Sequence, residues 1–203
     1  SEKQSIALIE NSADYSDVKT LASFIDKMQR RPDWNKTVEI YDLPLGLSLG
    51  EIQNSYSRFC VLWQTFREYL NKAYISQKIE LLERQIKKQE EYAIELLNQK
   101  ELIANGFYRD SILYVTSTYS ISINEFEKSK LTHLQSQGSY SSLQGTIKSN
   151  ELASLRLQEA RLDLQIKLEN EIQQFRLDLD EAFQLLQVSV NQWEEKYLIE
   201  TPK

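Results

Sequence analysis

The residue types that most often perform catalysis or bind metals are almost missing from this chain. His133 is the only histidine and Cys60 the only cysteine, so neither a His-based metal cluster nor a Cys/His catalytic pair is available. No glycine-rich phosphate loop and no nucleophile elbow occurs. Acidic residues are plentiful, but a long helical chain offers no concave pocket in which their pKa values would shift. We therefore predict no enzyme activity, no metal site and no cofactor, with His133 on the surface and Cys60 in or beside a helical seam.

Charge and hydropathy exclude two further classes of protein. The chain has 30 acidic and 24 basic side chains, a net charge of -6, so we expect no nucleic-acid binding. The longest apolar runs, such as Ile112 to Val115, are about four residues long, whereas crossing a bilayer takes roughly 20. We expect no membrane span here, and any export signal or anchor would lie outside this sequence.

Two capping boxes predict two long helices. Ser48 and Glu51 form one S-x-x-E box, and Ser122 and Glu125 form the other. In such a box the Ser oxygen and the Glu carboxylate accept hydrogen bonds from backbone N–H groups at the helix start. The chain holds only five Gly and three Pro, so little interrupts the helices. We predict helices over 48-117 and 123-196, joined by a tip turn at 118-122.

The two long segments carry the seam of an antiparallel coiled coil. Apolar residues recur at steps of four and three, which is typical of a left-handed coiled coil. The clearest runs are Ile52, Tyr56, Phe59, Trp63, Phe66 and Leu70, then Ile75, Ile79, Leu82, Ile86, Gln89, Ala93, Leu96, Lys100, Ile103 and Phe107, and on the second helix Leu168, Ile172, Phe175, Leu179, Ala182, Leu186, Ser189 and Trp193. A turn near Thr118 would place Ser48 opposite about Ser189, in a hairpin on the order of 100 Å long.

The remaining segments complete the predicted fold. We predict a strand over 1-11, a short helix over 12-31, a connector over 32-47 and a second strand over 197-203. The fold class is therefore all-α: a long antiparallel two-helix hairpin plus one shorter N-terminal helix, with short β strands at both chain ends. Gly138 and Gly145, one heptad apart, have two explanations: close approach of a neighbouring helix, or simple local flexibility.

The order of these signals resembles the haemolysin-D-like membrane fusion proteins, or periplasmic adaptors, in particular their Bacteroidetes-type members. In that family a lipoyl-like half-motif contributes a hydrophobic strand that ends in Glu-Asn and leads into a helical hairpin, as Ile6 to Asn11 does here. The return helix of the family runs through a Trp-Glu-x-x-Tyr-hydrophobic stretch, similar to Trp193 to Ile199, into the second half-motif. A Pro-Ile-Asp-Gly-like turn follows, and begins here at Pro202. The likeness covers essentially the whole chain, as a middle piece of a longer protein.

The resemblance implies a docking site at the hairpin tip. The family carries an Arg, a Leu four residues later and a Ser seven further on, which contact the helical tip of a TolC-type outer-membrane channel. Arg109 and Leu113 match the first two positions. The serine is Ser120 by spacing or Ser122 by its flanking Ile-Ser-x-x-Glu pattern, and we prefer Ser122 because it begins the return helix. In the alternative interpretation, Arg109 is a solvated surface charge and Leu113 packs in the seam.

We therefore predict a periplasmic adaptor hairpin that bridges an inner-membrane transporter to a TolC-type channel for efflux or type I-like secretion. The resemblance implies a homo-oligomer, usually a hexamer, that meets the transporter through parts outside this chain. It also implies a periplasmic location in a Gram-negative bacterium, with an inner-membrane anchor outside this chain. The alternative is a coiled-coil scaffold or tether with no transport role. A membrane-curvature module is disfavoured because anionic lipid would require a basic face.

Overall fold

The computed structural model describes residues 12–30, 33–72, 74–119 and 122–199. Its elements are α1 (Ala13–Met28), α2 (Trp34–Ile40), a 3₁₀ turn (Gly50–Ile52), α3 (Gln53–Lys72), α4 (Tyr74–Ser117), α5 (Ile123–Glu194) and a π-helical turn (Glu195–Ile199). Helical residues make up 91% of this described part, which contains no strand, so the all-α class with two long helices packed against each other is confirmed.

The predicted terminal strands are not seen. The first, over 1-11, lies outside the described residues. The second, over 197-203, is wrong where the structure describes it, because Tyr197 to Ile199 continue the helix as a π-helical turn. The Tyr197 ring packs against the Trp193 ring four residues earlier, with centroids 4.8 Å apart. Neighbours at this spacing stabilise a helix, and that contact outweighs the alternating pattern of the sequence.

The predicted connector over 32-47 contains a helix that the sequence analysis missed. Helix α2 begins after Asp33, whose carboxylate accepts a hydrogen bond from the Asn35 N–H at 3.1 Å. One face of this helix is buried and carries Trp34, Thr37 and Val38. These three residues have the i, i+3, i+4 spacing of a single helix face, which was the available signal.

The first capping box does not form. The Ser48 N–H donates to Asp17 at 2.6 Å, and its hydroxyl donates to Asp14 at 3.5 Å. The helical segment begins instead with the 3₁₀ turn that follows Leu49, and Gly50 there has φ of +43°. Through these two hydrogen bonds, Ser48 connects the start of this helical segment to helix α1.

The chain divides into two compact units: a bundle unit of residues 1–74 and 168–203, and a hairpin unit of residues 75–167. In the bundle unit, α1, α2, α3 and the C-terminal part of α5 surround an aromatic core. Phe59 is fully buried and its ring lies 5.5 to 6.4 Å from four others: Phe24, Trp34, Trp63 and Phe183. Trp34 also donates through Nε1 to Asp180, and Arg176 pairs with Asp33 at 2.8 Å.

The predicted seam on the second long helix is confirmed, but its predicted partner register is wrong. Leu179, Ala182, Leu186 and Trp193 are buried in the bundle unit. Ser189 lies opposite Ser55, with hydroxyl oxygens 2.9 Å apart, rather than opposite Ser48. The difference is one heptad, so the same faces meet although the pairing is displaced.

In the hairpin unit, α4 packs against the first part of α5. The predicted seam residues of α4 are buried or half-buried, including the polar Gln89 and Lys100. Asn150 of α5 is also buried, and its side-chain N–H donates to the Gln89 carbonyl at 3.4 Å. This seam is less apolar than the core of the bundle unit.

Candidate functional site at the hairpin turn

The end of α4 is closed by its own hydroxyl side chains. Thr116, Ser117 and Thr118 donate to the carbonyls of residues 112, 114 and 115 at 2.8, 2.7 and 2.6 Å. These carbonyls belong to the end of the helix, where side-chain hydroxyls supplement the few backbone N–H donors that are left, such as that of Thr118, which donates to the Val115 carbonyl at 3.3 Å. The Thr-Ser-Thr sequence therefore ends the helix locally.

Ser122 caps the start of α5 with its side chain. The Glu125 N–H donates to the Ser122 hydroxyl at 3.5 Å, and the Phe126 N–H donates to the Ser122 carbonyl at 3.3 Å. The predicted role of Ser122 at the beginning of the return helix agrees with these contacts. Its side chain is also exposed, so it lies at the surface of the turn.

Aromatic rings fill the seam just below the turn. His133 is half-buried and stacks against Tyr114 and Phe107, with centroid distances of 5.1 and 5.6 Å. Its Nδ1 lies 3.1 Å from the Ser111 hydroxyl, and Phe107 stacks on Tyr140. The predicted surface position of His133 is therefore wrong, because a flat ring at this seam position is held between two others.

Asp110 is a buried carboxylate in the same seam. Its residue is 6% exposed, and it accepts a hydrogen bond from the Ser136 hydroxyl and one from Arg109 Nε at 3.4 Å. The hydrogen bond from Ser136, followed by the charge of Arg109, lowers the pKa of Asp110 below its ordinary value. The Asp110 carboxylate is therefore ionised at neutral pH, and this anion lies between the two helices.

The structure brings some of the predicted docking residues to the surface near the turn. The Arg109 side chain is 74% exposed, with its Nε toward Asp110, and Leu113 is 54% exposed one turn further along α4. Leu113 also lines a groove of about 410 Å³ with Asp110, Thr116, Ser117, Glu125, Lys128, Ser129 and Thr132. Ser120 lies outside the described residues. Leu113 is therefore more exposed than ordinary seam packing would leave it.

A patch of exposed apolar side chains near the turn was missed by the sequence analysis. We define the tip patch as Tyr108, Ile112, Val115, Tyr119 and Ile123, of which Tyr119 is 87% exposed. Tyr108, Ile112 and Val115 follow one another at steps of four and three, so they share one face of α4, and Tyr119 follows in the turn. Exposed apolar patches of this kind mark interaction sites. Two features of the sequence could have indicated this patch. One is the four-three spacing of its apolar residues, and the other is the continuation of the seam from Phe107 to Asp110, which leaves that spacing on a different face.

The chemistry of this site is recognition by contact. The site offers the guanidinium of Arg109, hydroxyl groups, the buried carboxylate of Asp110 and exposed apolar side chains. Among the residues that the structure describes, no group of three His, Cys, Asp or Glu side chains is arranged to hold a metal ion. None of the described helices combines the length and apolar composition needed to cross a bilayer.

Comparisons with known proteins assign no family to the chain. No family model, no curated protein and no solved structure matches it. The resemblance to membrane fusion proteins therefore stays a prediction.

Proposed function

We propose that this chain is the helical hairpin of a periplasmic adaptor, a non-enzymatic membrane fusion protein. In this role it bridges an inner-membrane transporter to a TolC-type outer-membrane channel for efflux or secretion. The transporter contacts and the membrane anchor are assigned to parts outside this chain, and several copies, usually six, assemble around the channel. The proposal places the chain in the periplasm of a Gram-negative bacterium.

The observation that supports this proposal best is the exposure of Arg109, Leu113 and the tip patch at the turn of a helical hairpin. Apolar side chains that are exposed to water lower the free energy of a complex when a partner covers them. Arg109 is already oriented by Asp110, so less side-chain entropy is lost when its remaining N–H groups donate to carbonyls or carboxylates of a channel.

Each predicted docking residue has a distinct task. Leu113 borders the groove and supplies apolar area to a helix laid across the turn. Arg109 supplies charge-assisted hydrogen bonds, for which its planar, forked donors are better suited than a lysine ammonium. Ser122 begins α5 and offers its hydroxyl at the surface.

The decisive experiment is photocrosslinking in native cells from a photoreactive amino acid placed at Leu113. We expect capture of an outer-membrane channel protein. The matched control carries the same amino acid at Val61, an exposed apolar position on α3 in the bundle unit, and should not capture that channel. Capture of cytosolic proteins alone from Leu113 would refute the adaptor role.

A second candidate is a coiled-coil scaffold or tether without a transport role. The polar and aromatic hairpin seam and the exposed apolar residues of α4 and α5 suit a self-assembling rod as well. Fractionation of native cells separates the two candidates. A periplasmic location favours the adaptor, whereas a cytoplasmic location favours the scaffold.

A further inference from the structure

The seam of the hairpin unit loses its large apolar side chains near the middle of α4. Ile86 and Leu96 of this helix are buried, at 5% and 3% exposure. The seam positions between them hold Gln89 and Ala93, which are both half-buried. We define the polar step as Gln89 and Ala93 together with Asn150 of α5, whose side chain contacts the Gln89 main chain. A polar side chain and a methyl group therefore stand where two large apolar contacts would be ordinary.

Asn150 is buried with part of its hydrogen-bonding capacity unused. The residue is 7% exposed, and its side-chain N–H donates to the Gln89 main-chain carbonyl at 3.4 Å. Its Oδ1 atom is also buried and has no hydrogen-bond partner among the described residues. A buried acceptor without a partner has given up water and gained nothing in exchange, so it raises the free energy of the closed seam. An opening that lets water reach Oδ1 relieves this cost.

A groove of about 470 Å³ runs beside the polar step, and Gln89 and Asn150 both line it. On the α5 side its other lining residues are small and uncharged: Ser142, Gly145, Thr146, Ser149 and Ala153. All but Gly145 recur at steps of four, three and four, so they follow one edge of the seam. In coiled coils such edge positions often carry long charged side chains, whose stems shield the seam from water. The short side chains here leave room for water next to the polar step.

The backbone of α5 is also less costly to distort at this level. Residues 139–149 include four serines, a threonine and Gly145, all of which are poorer helix formers than alanine. A Cβ atom at Gly145 would meet nothing within 4 Å, so crowding does not require a glycine there. Residues 151–172, in contrast, are rich in the good helix formers Leu, Glu and Arg. The flexible part of α5 therefore coincides with the polar step.

Packed side chains hold the two helices together on both sides of the polar step. Ile79 and Ile86 of α4 are buried on one side, and Leu96 of α4 and Leu143 of α5 are buried on the other. Local separation at the polar step does not expose these four residues. The helices can therefore part at this level without the hairpin unit coming apart.

We propose that the polar step is a hinge built into the hairpin unit. In the open form, Asn150 turns into the groove and exchanges the Gln89 carbonyl for water, while Ile86 and Leu96 stay packed. Hydration of Oδ1 favours the opening, and α5 bends near Gly145 to allow it. This inference is independent of the proposed function, because no predicted docking residue belongs to the polar step or its groove.

The first test measures backbone hydrogen exchange by NMR in the whole chain and in Asn150→Leu. In the unmodified chain, the amides of residues 89–93 and 147–151 should exchange faster than those around Ile79 and Leu96. Asn150→Leu should slow exchange at the polar step about tenfold, because a leucine gains nothing from water. The matched control, Asn170→Leu at an exposed position of α5, should leave these rates unchanged. Unchanged or faster exchange in Asn150→Leu overturns the proposal.

The second test uses the unmodified chain and separates a hinge from opening of the whole hairpin unit. Hydrogen exchange is repeated at increasing urea concentrations below the unfolding transition. The rate of exchange through a small opening depends little on urea, because little new surface is exposed. We expect a shallow dependence at the polar step and a steep one around Ile79 and Leu96. An equally steep dependence at all of these positions would show that the unit opens as one body, and would refute the hinge.

Discussion

At the scale of single residues, Asp110 is the clearest case of a charged side chain in a buried seam position. It occupies a buried position between α4 and α5, where an apolar side chain would be ordinary, and is held as an anion by Ser136 and Arg109. A carboxylate whose pKa is lowered on folding stabilises the folded state above its unfolded pKa. That stabilisation is lost as the pH falls through the folded pKa.

Asp110→Asn should therefore change the pH dependence of stability. We expect the free energy of unfolding of the wild type to exceed that of the variant near pH 7, and the difference to shrink as the pH falls below about 3.8, the ordinary value for Asp. Urea unfolding followed by circular dichroism across this range measures the effect. Asp163→Asn, at an exposed position on α5, is the control and should leave the acid limb unchanged. A pH-independent difference for Asp110→Asn would contradict this assignment.

The lone thiol gives a second residue-scale prediction. Burial raises the pKa of Cys60, and its hydrogen-bonded neighbour Tyr56 offsets this only in part. Because the thiolate is the reactive form, we expect iodoacetamide to alkylate Cys60 at pH 8 more slowly in the folded chain than in urea. Mass spectrometry of timed samples gives both rates, and equal rates would show that Cys60 is not shielded.

At the scale of elements, the two S-x-x-E sequences behave differently although they read alike. Ser122 caps α5, whereas Ser48 is bound by Asp14 and Asp17 of α1. Ser122→Ala should therefore destabilise the chain by about 1 kcal/mol, as loss of an N-cap does, and Ser122→Asp should retain most of the stability. Ser48→Ala removes only an exposed contact and should change the free energy of unfolding by less than about 0.5 kcal/mol. Equal losses at both serines would show that the caps are equivalent.

The elements also show which sequence signals suffice. Long runs with a four-three period predicted the seams of α3, of α4 and of the C-terminal part of α5 correctly, since many positions agree on one face. Helix α2 was not predicted because seven residues are too few to show a repeated apolar pattern. Its stability comes from the packing of Trp34 in the bundle core. The predicted register was wrong by one heptad because the seam pattern repeats every seven residues. The pattern therefore predicts which face of each helix is buried, but it does not predict which residue of the other helix lies opposite.

At the scale of the whole molecule, buried apolar area is distributed unequally. The bundle unit buries a continuous cluster of apolar side chains around Phe59. Phe59→Ala should destabilise this unit by about 3–5 kcal/mol, because it removes a fully enclosed ring that four others surround. Val61→Ala, at an exposed position on the same helix, should change stability by less than about 0.5 kcal/mol. Urea unfolding monitored by tryptophan fluorescence measures both, and a small loss for Phe59→Ala would contradict the core described here.

The hairpin unit should open more easily than the bundle unit. Among the described residues its buried apolar side chains are Ile79, Ile86, Leu96 and Leu143, interleaved with polar seam residues such as Asn150, whose buried side-chain oxygen has no hydrogen-bond partner. Fewer buried contacts per turn lower the free energy of local opening, so backbone amides there exchange sooner. Hydrogen exchange with mass spectrometry should show faster exchange across residues 75–167 than across α3 and the end of α5. In Phe59→Ala, protection should fall mainly in the bundle unit, because that is where the ring is packed. Uniform protection along α5 would instead require that the polar seam contribute as much stability as the aromatic core.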